Sequence, residues 1–122
     1  MNAFLIDATD QVTKIVDIDF DDSDKIREIL GFKCLEYVRR KVEHIEYLFI
    51  CDENGLLKDN QIASAVNDRN EVMFVGNLLI TREETIGSYV PLTSADISII
   101  RRNLVKIDTK LMPGQLLINC NY

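Results

Sequence analysis

The sequence predicts a single α+β domain, with an antiparallel or mixed sheet of five to seven strands and two principal helices packed on it. Three observations carry this expectation. The 122 residues are 47% hydrophobic and 28% charged, the size and balance of one globular domain. Short runs rich in β-branched and aromatic residues recur between turn-forming residues. Two stretches combine apolar residues at helical spacing with residues suited to helix ends.

Taken in order, residues 3–8 (AFLIDA) and the run VTKIVDIDF that starts at Val12 read as two strands joined through Thr9–Gln11, hence a hairpin. DDSDKIREILG follows. Asp22 or Ser23 can accept the free amide hydrogens of a helix start, Gly31 suits the left-handed position at its end, and Ile26, Ile29 and Leu30 form one apolar face. Residues 34–42 and 46–52 read as two further strands with His44 at their junction, and Glu53-Asn54-Gly55 as a turn.

A short helical turn is expected around residues 61–66. Residues 71–81 (EVMFVGNLLIT) form the most hydrophobic segment and read as one strand covered on both faces, with a bulge or a close backbone approach at Gly76. Residues 82–88 read as a polar loop and 89–92 as a short strand. Thr93 then opens the clearest helix, TSADISIIRRNL, where Thr93 and Asp96 can cap reciprocally and Ile97, Ile100 and Leu104 make the packing stripe. Around the Pro113-Gly114 turn, 105–107 and 116–120 are apolar, and the last piece is expected to add a strand to the sheet or to a neighbouring subunit.

Composition narrows the function. No run approaches the roughly 20 apolar residues of a membrane-spanning helix, and the N-terminal segment lacks the basic region of a signal peptide, so the chain is read as cytoplasmic, with no membrane partner. Cys34, Cys51 and Cys120 are odd in number and widely spaced, which fits buried reduced thiols better than disulfides or a zinc site. His44 is the only histidine. Neither a catalytic triad nor a metal motif nor a phosphate-binding glycine loop can be drawn, so a non-enzymatic protein without a cofactor is expected. A small hydrolase or nuclease using Asp/Glu and a magnesium ion stays open because carboxylates are plentiful, though nothing in their spacing favours it.

The formal net charge is −6, and residues 1–30 hold eight acids against three bases, whereas 101–122 hold four bases against one acid. Direct nucleic-acid binding is therefore disfavoured, while local anion sites stay open.

ICDENGLLKDNQIA at 50–63, VGNLLIT at 75–81 and VPLTSADI at 90–97 together resemble a domain-of-unknown-function family found mainly in bacteriophages, plasmids and integrated elements of bacteria. The resemblance covers residues 1–104 as a core, with 105–122 as a C-terminal extension. It implies a mobile-element origin, a bacterial host cytoplasm and a small α+β fold, and it carries over no catalytic residue.

Seven residues are candidates for ligand binding. Arg39, Arg40 and Lys41 form the densest basic run, and Arg101 and Arg102 a second; if the two converge, their planar forks and charge suit a phosphate. The plainer readings are a solubilised strand edge and favourable charge at a helix C-terminus. Asn77 could read a base edge or simply satisfy backbone groups, and Tyr89 could stack on a nucleobase or belong to the core.

With the mobile-element origin that the resemblance implies, the expectation is a counter-defence protein that sequesters a nucleotide-type host immune signal in such a pocket, between subunits of a homo-oligomer. The alternative is an interaction protein that blocks a host defence enzyme or nucleic-acid-binding protein through Asp17, Asp19, Asp21, Asp22 and Asp24.

Overall fold

The computed structural model describes residues 1–58, 62–110 and 112–122. The first hairpin forms where the sequence places it, β1 (Asn2–Asp7) against β2 (Val12–Asp17). Helix α1 (Ser23–Leu30) begins at Asp22, whose carboxylate accepts the Lys25 N–H, and ends at Gly31 with φ of 83°. Strands β3 (Leu35–Val42) and β4 (Ile45–Asp52) are joined by Glu43-His44 alone. Both turn residues have positive φ, 53° and 69°, the backbone a two-residue hairpin needs to match strand twist.

The segment after the Asn54 turn departs from expectation. A one-turn 3-10 helix at Gly55–Leu57 is followed by β5 (Ala63–Val66), so residues 63–66 are strand and not helix; Gln61, also in that expected turn, lies outside the described residues. The apolar run at 71–81 is two strands, β6 (Val72–Val75) and β7 (Leu78–Thr85), parted by Gly76 with φ of 76°. Each belongs to a different sheet. The expected loop at 82–88 is largely the second half of β7, which turns through Ile86-Gly87 into β8 (Ser88–Val90). Its polar side chains are those of a strand that has left the core.

Helix α2 (Ser94–Arg102) has the reciprocal Thr93–Asp96 cap, and the tail gives β9 (Leu104–Ile107) and β10 (Gln115–Asn119). The result is α+β, with two α-helices and ten strands in two sheets among the described residues. A six-stranded sheet runs β2-β1-β7-β4-β3 with β8 beside β7, and a four-stranded sheet runs β6-β5-β10-β9. All pairings are antiparallel except β10 with β5. The C-terminal strand thus adds to the second sheet, within the same chain.

The large sheet sits between two layers. On one face Ala3, Leu5, Ile50 and Leu79 pack against Ile26 and Leu30 of α1. On the other, Phe4, Ile6, Phe49 and Ile80 meet the second sheet and α2 through Phe74, Ile118 and Ile100. Phe49 and Phe74 stack across the sheets at 5.4 Å. Beneath α2 the fully buried Tyr47 hydroxyl donates to Asp96, which also accepts from Arg82 and closes the helix cap.

Candidate functional site

The seven candidate residues separate into three environments. Arg39 lies on the α1 side of β3, where its guanidinium donates to Glu83 Oε1 at 2.6 Å and its Nε stands 3.7 Å from Glu46. Tyr89 stacks on Phe20 with ring centroids 4.7 Å apart. Burial pushes the Tyr89 phenol up from its ordinary pKa, and the charges of Glu83 and Asp21 add to this. The Phe20–Tyr89 pair lines a groove of about 610 Å³ together with Asp17, Asp19, Asp21 and Lys25.

Asn77 sits at the crossing between the sheets. Its Oδ1 accepts the Ala8 N–H at 2.9 Å and its Nδ2 donates to the Leu30 carbonyl at 3.1 Å. It ties the end of β1 and the end of α1 to the start of β7, which is the backbone-satisfying role of a partly buried amide.

The remaining basic residues gather at the corner where the β3–β4 turn meets the end of α2. Arg102 grips Glu43 with two hydrogen bonds of 2.5 and 2.6 Å, and Asn103 donates to the same carboxylate. The Arg102 and Asn103 hydrogen bonds hold the Glu43 carboxyl down to about 2. Arg101 is exposed and has no ion pair among the described residues. The two basic runs thus approach one another, but Glu43 stands between them and neutralises Arg102.

Beside the turn lies a cleft of about 410 Å³ lined by Lys41, His44, Asn103, Asn119, Asn121 and Tyr122 and also by the carboxylates of Glu43, which Arg102 and Asn103 engage, and Asp68. Lys41 reaches it because its backbone exchanges hydrogen bonds of 2.7 and 2.8 Å with Asn121, which fastens the end of β3 to the C-terminal segment. Arg40 points to the same face as the second sheet. Its guanidinium carbon lies 4.6 Å from the Tyr122 ring centroid, so one face of that ring is stacked while the residue stays 77% exposed.

Several polar groups of this cleft have no hydrogen-bond partner among the described residues: the Lys41 ammonium, the His44 ring, Asn119 Nδ2 and Asn103 Oδ1. They offer donors for an anion, an acceptor for an N–H or hydroxyl, and an aromatic face for a planar ring. The volume falls within the range of small-molecule sites, roughly 300–1,000 Å³.

Sequence reasoning found Lys41 and Arg40 here but not His44, Asn103, Asn119, Asn121 or Tyr122. The available signal was three asparagines among the last twenty residues, a density that satisfying turns would also explain. Among the described residues no group of three or more His, Cys, Asp or Glu could hold a metal ion, and no helix is long and apolar enough to cross a membrane. The cysteines divide: Cys51 and Cys120 are buried, with burial pushing each thiol up to about 12. Contrary to expectation, Cys34 is exposed.

No protein-family model matches the chain, and no curated protein or solved structure is similar to it.

Proposed function

We propose that this chain is a non-enzymatic counter-defence protein of a mobile element, one that sequesters a small nucleotide-type anion in the cleft at the β3–β4 turn. The observation that carries the binding reading is the gathering of unpartnered Lys41, His44, Asn103 and Asn119 groups beside the exposed Tyr122 ring. Lys41 supplies charge for a phosphate, the amides read polar edges, and Tyr122 stacks the base with Arg40 behind it. The mobile-element setting rests on the resemblance of segments 50–63, 75–81 and 90–97.

The test is calorimetric titration of the purified protein with mono-, di- and cyclic oligonucleotides, alongside extraction of any co-purifying small molecule. Lys41→Ala is expected to weaken binding about 10- to 150-fold, as loss of a charge-assisted hydrogen bond does. Tyr122→Ala is expected to weaken it about 5- to 150-fold through lost stacking. Binding that neither variant disturbs, or no binding by any nucleotide, overturns the assignment.

The groove bearing Asp17, Asp19 and Asp21 beside the Phe20–Tyr89 stack favours a second reading, an interaction protein that inhibits a host defence enzyme through an acidic surface. Replacing Asp19 and Asp21 by Asn should then abolish counter-defence during phage infection while leaving nucleotide binding intact. Retained activity removes this reading.

A further inference from the structure

The six-stranded sheet has two open edge strands that run the same way: β2 carries Lys14 and Asp17 and leads into Asp19 and Asp21, and β3 carries Glu36 and then Arg39, Arg40 and Lys41. Among the described residues β2 pairs only with β1, and β3 is bordered by β4 on one side and by a single bridge to Asn121 on the other. Each strand on the path β2-β1-β7-β4-β3 runs antiparallel to the next. With five strands, the outermost two are therefore parallel. A second copy displaced sideways sets its β3 alongside β2 of the first, in the same direction and with the same faces up.

The free backbone groups match. Ile18 and Met1 exchange hydrogen bonds, so the alternation of an antiparallel ladder turns the backbone of Val12, Lys14 and Val16 toward β1 and that of Thr13, Ile15 and Asp17 outward. On β3 the Lys41 backbone faces outward, to Asn121, so by the same alternation Leu35, Tyr37 and Arg39 also face outward. Six residues of β2, 12–17, lie free against six of β3, 35–40.

Side chains agree with this alignment. Ile15 stands opposite Phe4, and Val38 packs on the same cluster as Phe4, so Ile15, Asp17, Val38 and Arg40 all occupy the face toward the second sheet. Pairing 12–17 with 35–40 puts Ile15 next to Val38 and Asp17 next to Arg40. Asp17, whose side chain is 89% exposed and meets the Met1 ammonium, is followed by exposed Asp19 and Asp21. Arg39, Arg40 and Lys41 stand on the other edge. Exposed Val12, Ile15 and Tyr37 are the apolar residues such a junction covers.

We propose that copies of this chain assemble head to tail, β2 of one adding in parallel to β3 of the next, with Asp17 of the first seated beside Arg40 of the second. An interface between unlike surfaces does not close on itself at two copies, so growth continues into a ring or filament.

Light scattering and sedimentation of the full chain, from tens to hundreds of micromolar at low and high salt, test it. The expected result is an average mass that passes that of the dimer as concentration rises and falls with added salt, since exposed charges are screened. Asp17→Arg and Arg40→Glu should each weaken association about 10-fold or more. Mixing the two variants should restore it, because the ion pair is re-formed with its signs exchanged. Where Arg40→Glu fails to fold, Ile15→Pro serves instead, since it removes an outward N–H and no bond to β1; it should block assembly. A monomer at every concentration, a closed dimer untouched by either reversal, or assembly that survives Ile15→Pro overturns the proposal.

Discussion

Asp96 is the residue whose removal should cost the fold most per atom deleted. Its carboxylate is 3% exposed and accepts from the Thr93 N–H and hydroxyl, each at 2.9 Å, from the Tyr47 hydroxyl at 2.9 Å, and from Arg82 at 3.1 and 3.2 Å. Burial opposes its ionisation, but the hydrogen bonds from Thr93, Tyr47 and Arg82 outweigh this and hold the carboxyl below the usual range.

Asp96→Ala breaks the α2 cap, about 1 kcal/mol. It also strands the fully buried Tyr47 hydroxyl, about 1–3 kcal/mol, and frees a half-exposed Arg82, about 0–1 kcal/mol. The expected loss is about 2–5 kcal/mol, or roughly 8–20 °C in melting temperature for a domain of this size. Calorimetric melting at neutral pH measures it.

Tyr47→Phe alone should cost only about 1 kcal/mol, and in the double variant the two losses should sum to less than their separate values, because no hydroxyl is left stranded. The lowered native pKa makes this contribution fully present above about pH 4, the unfolded value, and lost as pH falls from there through the native value. A single-variant loss under about 1 kcal/mol, or strict additivity with Tyr47→Phe, refutes the reasoning.

Three further outcomes are expected. Asn77→Ala should destabilise by about 1–3 kcal/mol in denaturant titration, by stranding Ala8 N–H and Leu30 C=O, and should leave nucleotide affinity unchanged. In native thiol titration at pH 8, Cys34 should react and Cys51 and Cys120 should not, since their thiols are pushed up to about 12; three equal rates would contradict the burial. Gly55→Ala should cost about 1–3 kcal/mol on thermal melting, because an added Cβ would meet Val75 Cγ2 at 2.8 Å; an unchanged melting temperature would show that Val75 yields freely.

The helices were legible because their ends are written locally: Asp22 and Gly31 bracket one, and Thr93 with Asp96 opens the other. The hairpins at 2–17 and 35–52 were legible from alternating content around turn residues. The second sheet was not, because its defining pair is β5 beside β10, a contact between distant segments with no local signature. Ala63–Val66 has little β-branched content to announce a strand. At 71–81 an unbroken apolar run has the same composition whether it is one doubly covered strand or two strands in different sheets. Gly76-Asn77 is the local mark of the crossing, and in sequence it looks the same as a bulge or a close backbone approach. In the cleft, Lys41 is visible as part of a basic run, whereas Asn103 reaches it from the end of α2 through Glu43, and Asn119 and Tyr122 flank the bridge that Asn121 makes to β3.

The place of β10 in the second sheet also sets an order of events on the ribosome. β10 is an inner strand, flanked by β5 and β9, yet it begins 49 residues after β5 ends. At about 5–20 residues per second, the β5–β6 hairpin waits roughly 2–10 s for its neighbour. Through that interval Ala65, Val66 and Phe74, all buried in the finished protein, stand beside an unpaired strand edge, the condition in which nascent chains pair with the wrong strand. Slowing translation downstream of β6 should therefore lower the soluble yield, and a trigger-factor-type holdase should recover it.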